Sequence, residues 1–251
     1  MDLSKEITVL IKTFERPDAC RRLIASVKKY YPSVHIIVID DSHEPTDYGD
    51  VEYHHTEFDI GVSAGRNLGL SFVKTPYVWH GDDDCEFTMK TDLAKCIELL
   101  NAAQVDIIGM EATGVNWKGR FQFDGKIARM ISDPYIRIDY PQGKVEIYDF
   151  IPNIFVARTE KLRKHPWDER LKTGEHFAHF WANWKEKKLK VGYTEDVLII
   201  HGFPEKPSPE YKRHRQRATS YVQLFLREAG IEKRIDLQGE EIDANDESQK
   251  P

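Results

Sequence analysis

Two short apolar runs, Ile7-Thr8-Val9-Leu10-Ile11 and His35-Ile36-Ile37-Val38-Ile39, bracket one amphipathic stretch, and that arrangement leaves few folds open. Both runs are rich in β-branched residues and of strand length. Between them Pro17 suits the first turn of a helix, Leu23, Ile24 and Val27 fall on one face, and Pro32 stops the helix after Tyr31. Strand, helix and strand within about 35 residues make a βαβ unit, whose parallel strands put both following loops on one edge of the sheet. Ligands of open α/β sheets bind outside those carboxyl ends. The loops there carry Thr13, Phe14 and Arg16 after the first strand and Asp40-Asp41-Ser42 after the second.

A third run, Tyr77-Val78-Trp79-His80-Gly81, ends in Asp82-Asp83-Asp84. Carboxylates this close raise one another's pKa and are tolerable at a strand end only where water or a cation screens them. Hard divalent cations bind carboxylate oxygen and keep positions for water and phosphate, so a metal–diphosphate complex suits the cluster. Taken alone, the triplet suits a solvated acidic turn equally well. Upstream, Ser63 can cap a helix whose first turn is small and is followed by Arg66-Asn67, a start that a diphosphate can approach. Helix packing explains Gly65 and Gly69 as readily.

Further on, Thr91-Asp92 can cap a helix over residues 93–101, and residues 105–110 read as a core strand. The alternation then stops, and residues 111–148 read as hairpins and loops that select a second substrate. A strand over 151–158 and a short helix over 159–164 follow. Phe177, Phe180, Trp181 and Trp184 are spaced as the buried stripe of a helix, with Glu175 in its first turn and off the stripe. The helix dipole alone accounts for that carboxylate; the alternative is a general base. His176 and His179 read as surface or half-buried residues rather than a metal pair, because no third ligand lies at a metal-site spacing. Residues 190–193 and 197–200 read as two closing strands, the second reaching His201. Residues 203–217 mix prolines with cations, as either a linker or a lid over phosphates. A last helix covers 218–229, and 231–251 is acidic and reads as disordered.

The expected division is one domain over 1–230, with a nucleotide-sugar half at about 6–110, an acceptor half at about 111–202 and a lid with the final helix at 203–230. The 251 residues are 40% hydrophobic and 31% charged with a net charge of -6, so nothing argues for nucleic-acid binding. Cys20, Cys85 and Cys96 have no zinc-site spacing and read as free thiols of a reducing compartment. No apolar run approaches the roughly 20 residues a bilayer needs, so the expected location is cytoplasmic, with peripheral membrane association left open. An amino-terminal anchor preceding the segment would make it luminal.

The ordered set Ile11-Lys12-Thr13-Phe14-Glu15-Arg16, Val38-Ile39-Asp40-Asp41-Ser42, Ala64-Gly65-Arg66-Asn67-Leu68, Asp82-Asp83-Asp84, Phe155-Val156-Ala157-Arg158-Thr159-Glu160-Lys161-Leu162 and Gly174-Glu175-His176 resembles inverting, nucleotide-sugar-dependent glycosyltransferases. The resemblance is to the GT-A fold and glycosyltransferase family 2, and more narrowly to ganglioside-type β1,4-N-acetylgalactosaminyltransferases. It implies a single Rossmann-like α/β domain with a mostly parallel sheet. It also implies that Thr13, Phe14 and Arg16 line the nucleotide pocket, that Asp41 meets the uracil, and that Arg66 and Asn67 lie near ribose or diphosphate. The acidic run stands where the family has its DXD motif, with Asp82 and Asp83 on the donor side, Asp83 facing the ribose and Asp84 on Mn2+ or Mg2+. His201 matches a carboxy-terminal metal-binding histidine and Glu175 the catalytic base. Relatives often carry another acid soon after that glutamate, where this chain has Phe177-Ala178-His179, which leaves the acceptor contacts undefined.

The implied reaction is metal-dependent transfer of N-acetylgalactosamine, or another hexose or N-acetylhexosamine, from a UDP-sugar to a glycan or glycoconjugate, as in polysaccharide biosynthesis. Two other readings of the residues stay open: a nucleotidyltransferase or phosphohydrolase built on the same acids, and a non-catalytic sugar-binding module suggested by the aromatics.

Overall fold

The computed structural model describes residues 1–202 and 207–246. The first half runs α1 (Leu3–Glu6), β1 (Ile7–Thr13), α2 (Pro17–Tyr30), β2 (His35–Asp40), β3 (Glu52–His55), α3 (Val62–Phe72), β4 (Tyr77–Asp82), β5 (Cys85–Glu86), α4 (Leu93–Ala102) and β6 (Ile107–Ala112). There follow β7 (Arg120–Phe123), β8 (Ile127–Ile131), β9 (Ile136–Tyr140), β10 (Gly143–Tyr148), β11 (Phe155–Arg158), α5 (Thr159–Lys164), α6 (Glu175–Glu186), β12 (Val191–His201), α7 (Pro209–Gln216), α8 (Ala218–Glu228), β13 (Lys233–Ile235) and β14 (Glu241–Asp243).

These elements form one mixed α/β domain. Its main sheet has ten strands in the order β3-β2-β1-β4-β11-β6-β12-β10-β9, with β5 joined to β12. From β3 to β4 every pairing is parallel, as the βαβ reading requires. β11 then runs antiparallel between β4 and β6, β12 returns parallel to β6, and the β9–β10 hairpin closes the far end antiparallel.

Alternate residues of the central strands feed two cores. Ile7, Val9 and Ile11 pack with Leu23, Ile24 and Val27 of α2 and Leu93, Ile97 and Leu100 of α4. Leu10, Ile37 and Ile39 face the other way, toward Leu70, Phe177, Phe180 and Trp181. Burial on both faces is what makes these strands read as continuous apolar runs. Each fully buried Ile, Leu or Phe contributes about 1.5–3 kcal/mol. The three cysteines are free and buried in the first core.

Several expectations need correcting. Ser63 is not the cap of α3; Gly61 holds that position at φ 95°, and Ser63 Oγ donates to the Leu171 carbonyl at 2.7 Å. Gly65 and Gly69 serve packing: an added Cβ would lie 2.4 Å from Lys12 Cδ at the first and 2.4 Å from Leu10 Cδ1 at the second. The two closing strands are one, β12, with a register shift between Thr194 and Leu198 where exposed Glu195 and Asp196 bulge out. Residues 231–246 are not a disordered tail. β13 pairs parallel with β8 and antiparallel with β14, completing a four-stranded sheet with β7. Ile231, Leu237, Ile242 and Ala244 pack on the Phe177 core while Glu232, Glu240 and Glu241 are exposed, which an average composition conceals. The end of that tail, 247–251, and residues 203–206 of the supposed lid lie outside the described residues.

Candidate active site

A cavity of about 440 Å³ opens at the carboxyl ends of β1 and β4, and Thr13, Phe14, Arg16, Arg66, Asp82, Asp83, Asp84, Glu175 and His201 all line it. A larger hollow of about 570 Å³ lies at the opposite strand ends, near Thr8, His35 and Lys74. The acid–histidine cluster of Asp82, Asp84 and His201 belongs to the first cavity.

The parallel register sets the acidic wall. Lys12 of β1 stands beside Asp82 of β4, so Thr13 and the aspartates share one rim. Thr13 Oγ1 donates to Asp83 Oδ2 at 2.7 Å, and the Arg16 guanidinium takes the other Asp83 oxygen and Asp84 Oδ2, the latter at 2.8 Å. Asp83 is therefore saturated by protein groups. Burial pushes its carboxyl up to about 6, against the pull of Arg16. Asp84 differs: its Oδ1 is buried without a hydrogen-bond partner and lies 3.5 Å from His201 Nε2.

Ligand atoms of Asp82, Asp84 and His201 all fall within 4.8 Å of one another. Two carboxylate oxygens and an imidazole nitrogen, one oxygen orphaned, suit Mn2+ or Mg2+ with positions left for water and phosphate. His201 reaches this spot because β12 runs the full depth of the sheet and β5 pairs with its end, setting His201 opposite Cys85.

The facing wall is built from distant segments. Glu175 opens α6 after Gly174, which adopts φ 73°, and is 6% exposed. Arg66 NH1 lies 2.5 Å from its Oε1, and Asn153 Nδ2 donates to the same oxygen at 3.0 Å. The second Arg66 nitrogen is 3.4 Å from Asp82 Oδ1, so Arg66 spans the two acidic groups. Beside Glu175, Trp117 packs against His176 with ring centroids 3.9 Å apart and the planes tilted by 31°, and His176 Nε2 is 2.6 Å from the Ile151 carbonyl oxygen. Burial pushes His176 and His179 down to about 3, so both rings are neutral; His179 stacks on Trp167 instead of facing a metal.

The third side is α7. Ser208 caps it, and Tyr211, His214 and Arg215 reach the cavity. The Tyr211 ring lies 4.4 Å from the Arg16 guanidinium. The His214 ring packs tilted against Phe14 at 5.0 Å, and both His214 and Arg217 pair with Asp59, at 3.1 and 2.8 Å.

Two expected residues do not line the cavity. Asp41 is wholly buried behind it, pairing with Lys12 and accepting from the Gly61 N–H at 2.9 Å. Asn67 is turned away: its amide donates to the Trp167 carbonyl at 2.9 Å and accepts from the Trp167 N–H at 3.0 Å. The sequence reading missed Lys12, Trp117, Asn153 and Tyr211. Of these only Lys12, next to the end of β1, carried a local signal.

The profile described as "Glycosyl transferase family 2" matches residues 8–165, more than half of the chain. The chain belongs to that family. Among its relatives, mouse beta-1,4 N-acetylgalactosaminyltransferase 2 is 31% identical over 87% of this chain and 45% of its own length. Beta-1,4 N-acetylgalactosaminyltransferase 1 of mouse is 34% identical over 80% of this chain and 39% of its own length. The chain thus spans less than half the length of these curated relatives. Among solved structures, S. aureus TarS 1-349 in complex with UDP-GlcNAc superposes with a TM-score of 0.60 at 15% identity, over 89% of this chain and 66% of that one. That likeness shows the GT-A fold. No helix among the described residues is long and apolar enough to cross a membrane.

Proposed function

We propose that this chain is a metal-dependent, inverting glycosyltransferase that moves N-acetylgalactosamine, or another hexose or N-acetylhexosamine, from a UDP-sugar to a hydroxyl of a glycan or glycoconjugate. One observation carries the reading: the acid–histidine cluster and Glu175 occupy a single cavity with Arg66 reaching both. It is supported by the relatives named as N-acetylgalactosaminyltransferases and by TarS structures solved with UDP and with UDP-GlcNAc.

Asp82, Asp84 and His201 would hold Mn2+ or Mg2+, which when bound neutralises charge on the diphosphate. Arg16 and Arg215, both lining the cavity, add cationic charge on that side. Both hydrogen bonds to Glu175 fall on Oε1. Oε2 is therefore the oxygen that takes the proton from the acceptor hydroxyl. The acceptor oxygen then forms its bond to the anomeric carbon as the bond to the diphosphate breaks, and UDP leaves with the electron pair. A base facing the leaving group across one cavity produces a single displacement and an inverted anomeric centre.

The test is turnover of UDP-sugars with a panel of glycan acceptors, with Mn2+ or EDTA, read by UDP release and by the anomeric coupling of the product. UDP release that requires metal and gives the β-anomer from an α-linked donor is expected. Turnover indifferent to EDTA, pyrophosphate in place of UDP, or an α-linked product would each defeat the proposal.

A further inference from the structure

β9 ends the ten-stranded sheet, and no strand among the described residues pairs with its outer side. Side chains at that edge are open among the described residues: Tyr135 and Ile136 are each 53% exposed and the Arg137 side chain 72%. An uncovered edge strand bearing apolar side chains is a template for another strand. Its register with β10 pairs Tyr140 with Gly143, Ile138 with Val145 and Ile136 with Ile147 across a two-residue turn. The pair flanking such a turn exchanges both main-chain bonds, so residues 136, 138 and 140 are bonded inward. The N–H and C=O groups of Arg137 and Asp139 point out along the free edge.

The strand reads Ile136-Arg137-Ile138-Asp139-Tyr140, which complements its own reverse. We propose that β9 pairs antiparallel with β9 of a second copy of this chain about a twofold axis at Ile138, joining two ten-stranded sheets into one. In that register Arg137 faces Asp139 of the second copy, Ile138 faces its equivalent, and Ile136 faces Tyr140. Centring the axis on residue 137 or 139 instead would oppose Arg137 to Arg137 or Asp139 to Asp139, so the charges select one register. The interface is isologous and closes as a dimer. An edge of five residues is small, so the dimer forms with concentration rather than permanently. It lies at the opposite end of the sheet order from β1, β2 and β3 and sets the β10–β12 sides of two copies next to one another.

Sedimentation equilibrium of the whole chain across roughly 5 to 500 µM tests this, since a contact of this size dissociates within or near that range. The wild-type chain is expected to pass from monomer to dimer. Arg137→Asp and Asp139→Arg each create like-charge pairs across the axis and should weaken dimerisation at least about tenfold. The double variant R137D/D139R restores opposite charges and should return to within about threefold of wild type. Arg137 also pairs with Glu146 of its own chain at 2.6 Å, so melting temperatures measure separately what each reversal costs the β9–β10 hairpin. Hydrogen exchange on the unaltered chain gives an independent reading: residues 135–140 should gain protection as concentration rises. A monomer throughout, a dimer that both single reversals leave unchanged, or a failure of the double variant to recover overturns the proposal.

Discussion

Along β1 and β4 the candidate site grows directly from strand ends. Thr13 closes β1, Asp82 closes β4 with Asp83 and Asp84 following, and the register sets Lys12 against Asp82. Across the cavity the groups come from unrelated places: Asn153 precedes β11, Trp117 lies between β6 and β7 and Glu175 opens α6, while His201 at the end of β12 joins the aspartates. The first wall is assembled by parallel pairing, which aligns consecutive loops whatever their length. The second is assembled by packing and by single side chains, chiefly Arg66, which leaves α3 to pair with Glu175 across 109 positions of chain. A wall built by pairing should therefore tolerate loss of one side chain with its architecture intact, whereas the packed wall should register each loss in a particular kinetic step.

The sharpest test of that contrast is Glu175→Gln, expected to lower kcat by about 10²–10⁴-fold while calorimetry finds UDP affinity unchanged. Retained turnover would move the base elsewhere. Asp84→Ala, on the opposite wall, should lower Mn2+-dependent UDP affinity by more than the roughly 10- to 100-fold lost with a merely supporting residue. Equal affinity in calorimetry would remove Asp84 from the metal site.

Asp83 gives a pH test. Its carboxyl is pushed from 3.8 up to about 6 by burial. A carboxyl raised on folding favours the fold while protonated, so its contribution is full below about pH 4 and disappears as pH rises through about 6. Asp83→Asn should gain stability relative to wild type over that interval, by about 3 kcal/mol at most in urea titrations. A pH-independent difference would show that Arg16 fully offsets the burial.

Asn67→Ala should cost about 1–3 kcal/mol of stability by releasing the Trp167 backbone, with UDP affinity unchanged. A selective loss of UDP affinity would return Asn67 to the donor side. The smallest effect belongs to Trp117→Ala, a rise in acceptor KM of about 2- to 10-fold with donor KM constant, the scale of one aromatic contact. A change confined to donor KM would put Trp117 on the wrong wall.

The strand-end chemistry was legible because periodicity and position coincide there: an apolar run that stops at Asp82 announces both the strand and its acidic rim. The stripe of α6 was legible for the same reason, since Phe177, Phe180 and Trp181 are buried as their spacing requires. Asn67 shows the limit. Adjacent to Arg66 in sequence, it points the other way on a helix, and only the position of Trp167 decides that. Asp41 looked like a ligand of the rim and instead neutralises Lys12 beneath it. The tail from 231 misled because its net acidity outweighed the few apolar residues that pack on Phe177.

By itself the sequence determined the order of strands and helices up to β6, the parallel β1–β2 pairing and the gathering of acids at one edge, since these depend on local spacing and on the handed geometry of βαβ units. Tertiary structure alone decided which carboxylate is saturated and which is left with an orphaned oxygen, and that Glu175 and Asp82 share Arg66. Such choices depend on which groups burial brings within hydrogen-bonding distance, a property of the whole packed chain rather than of any segment.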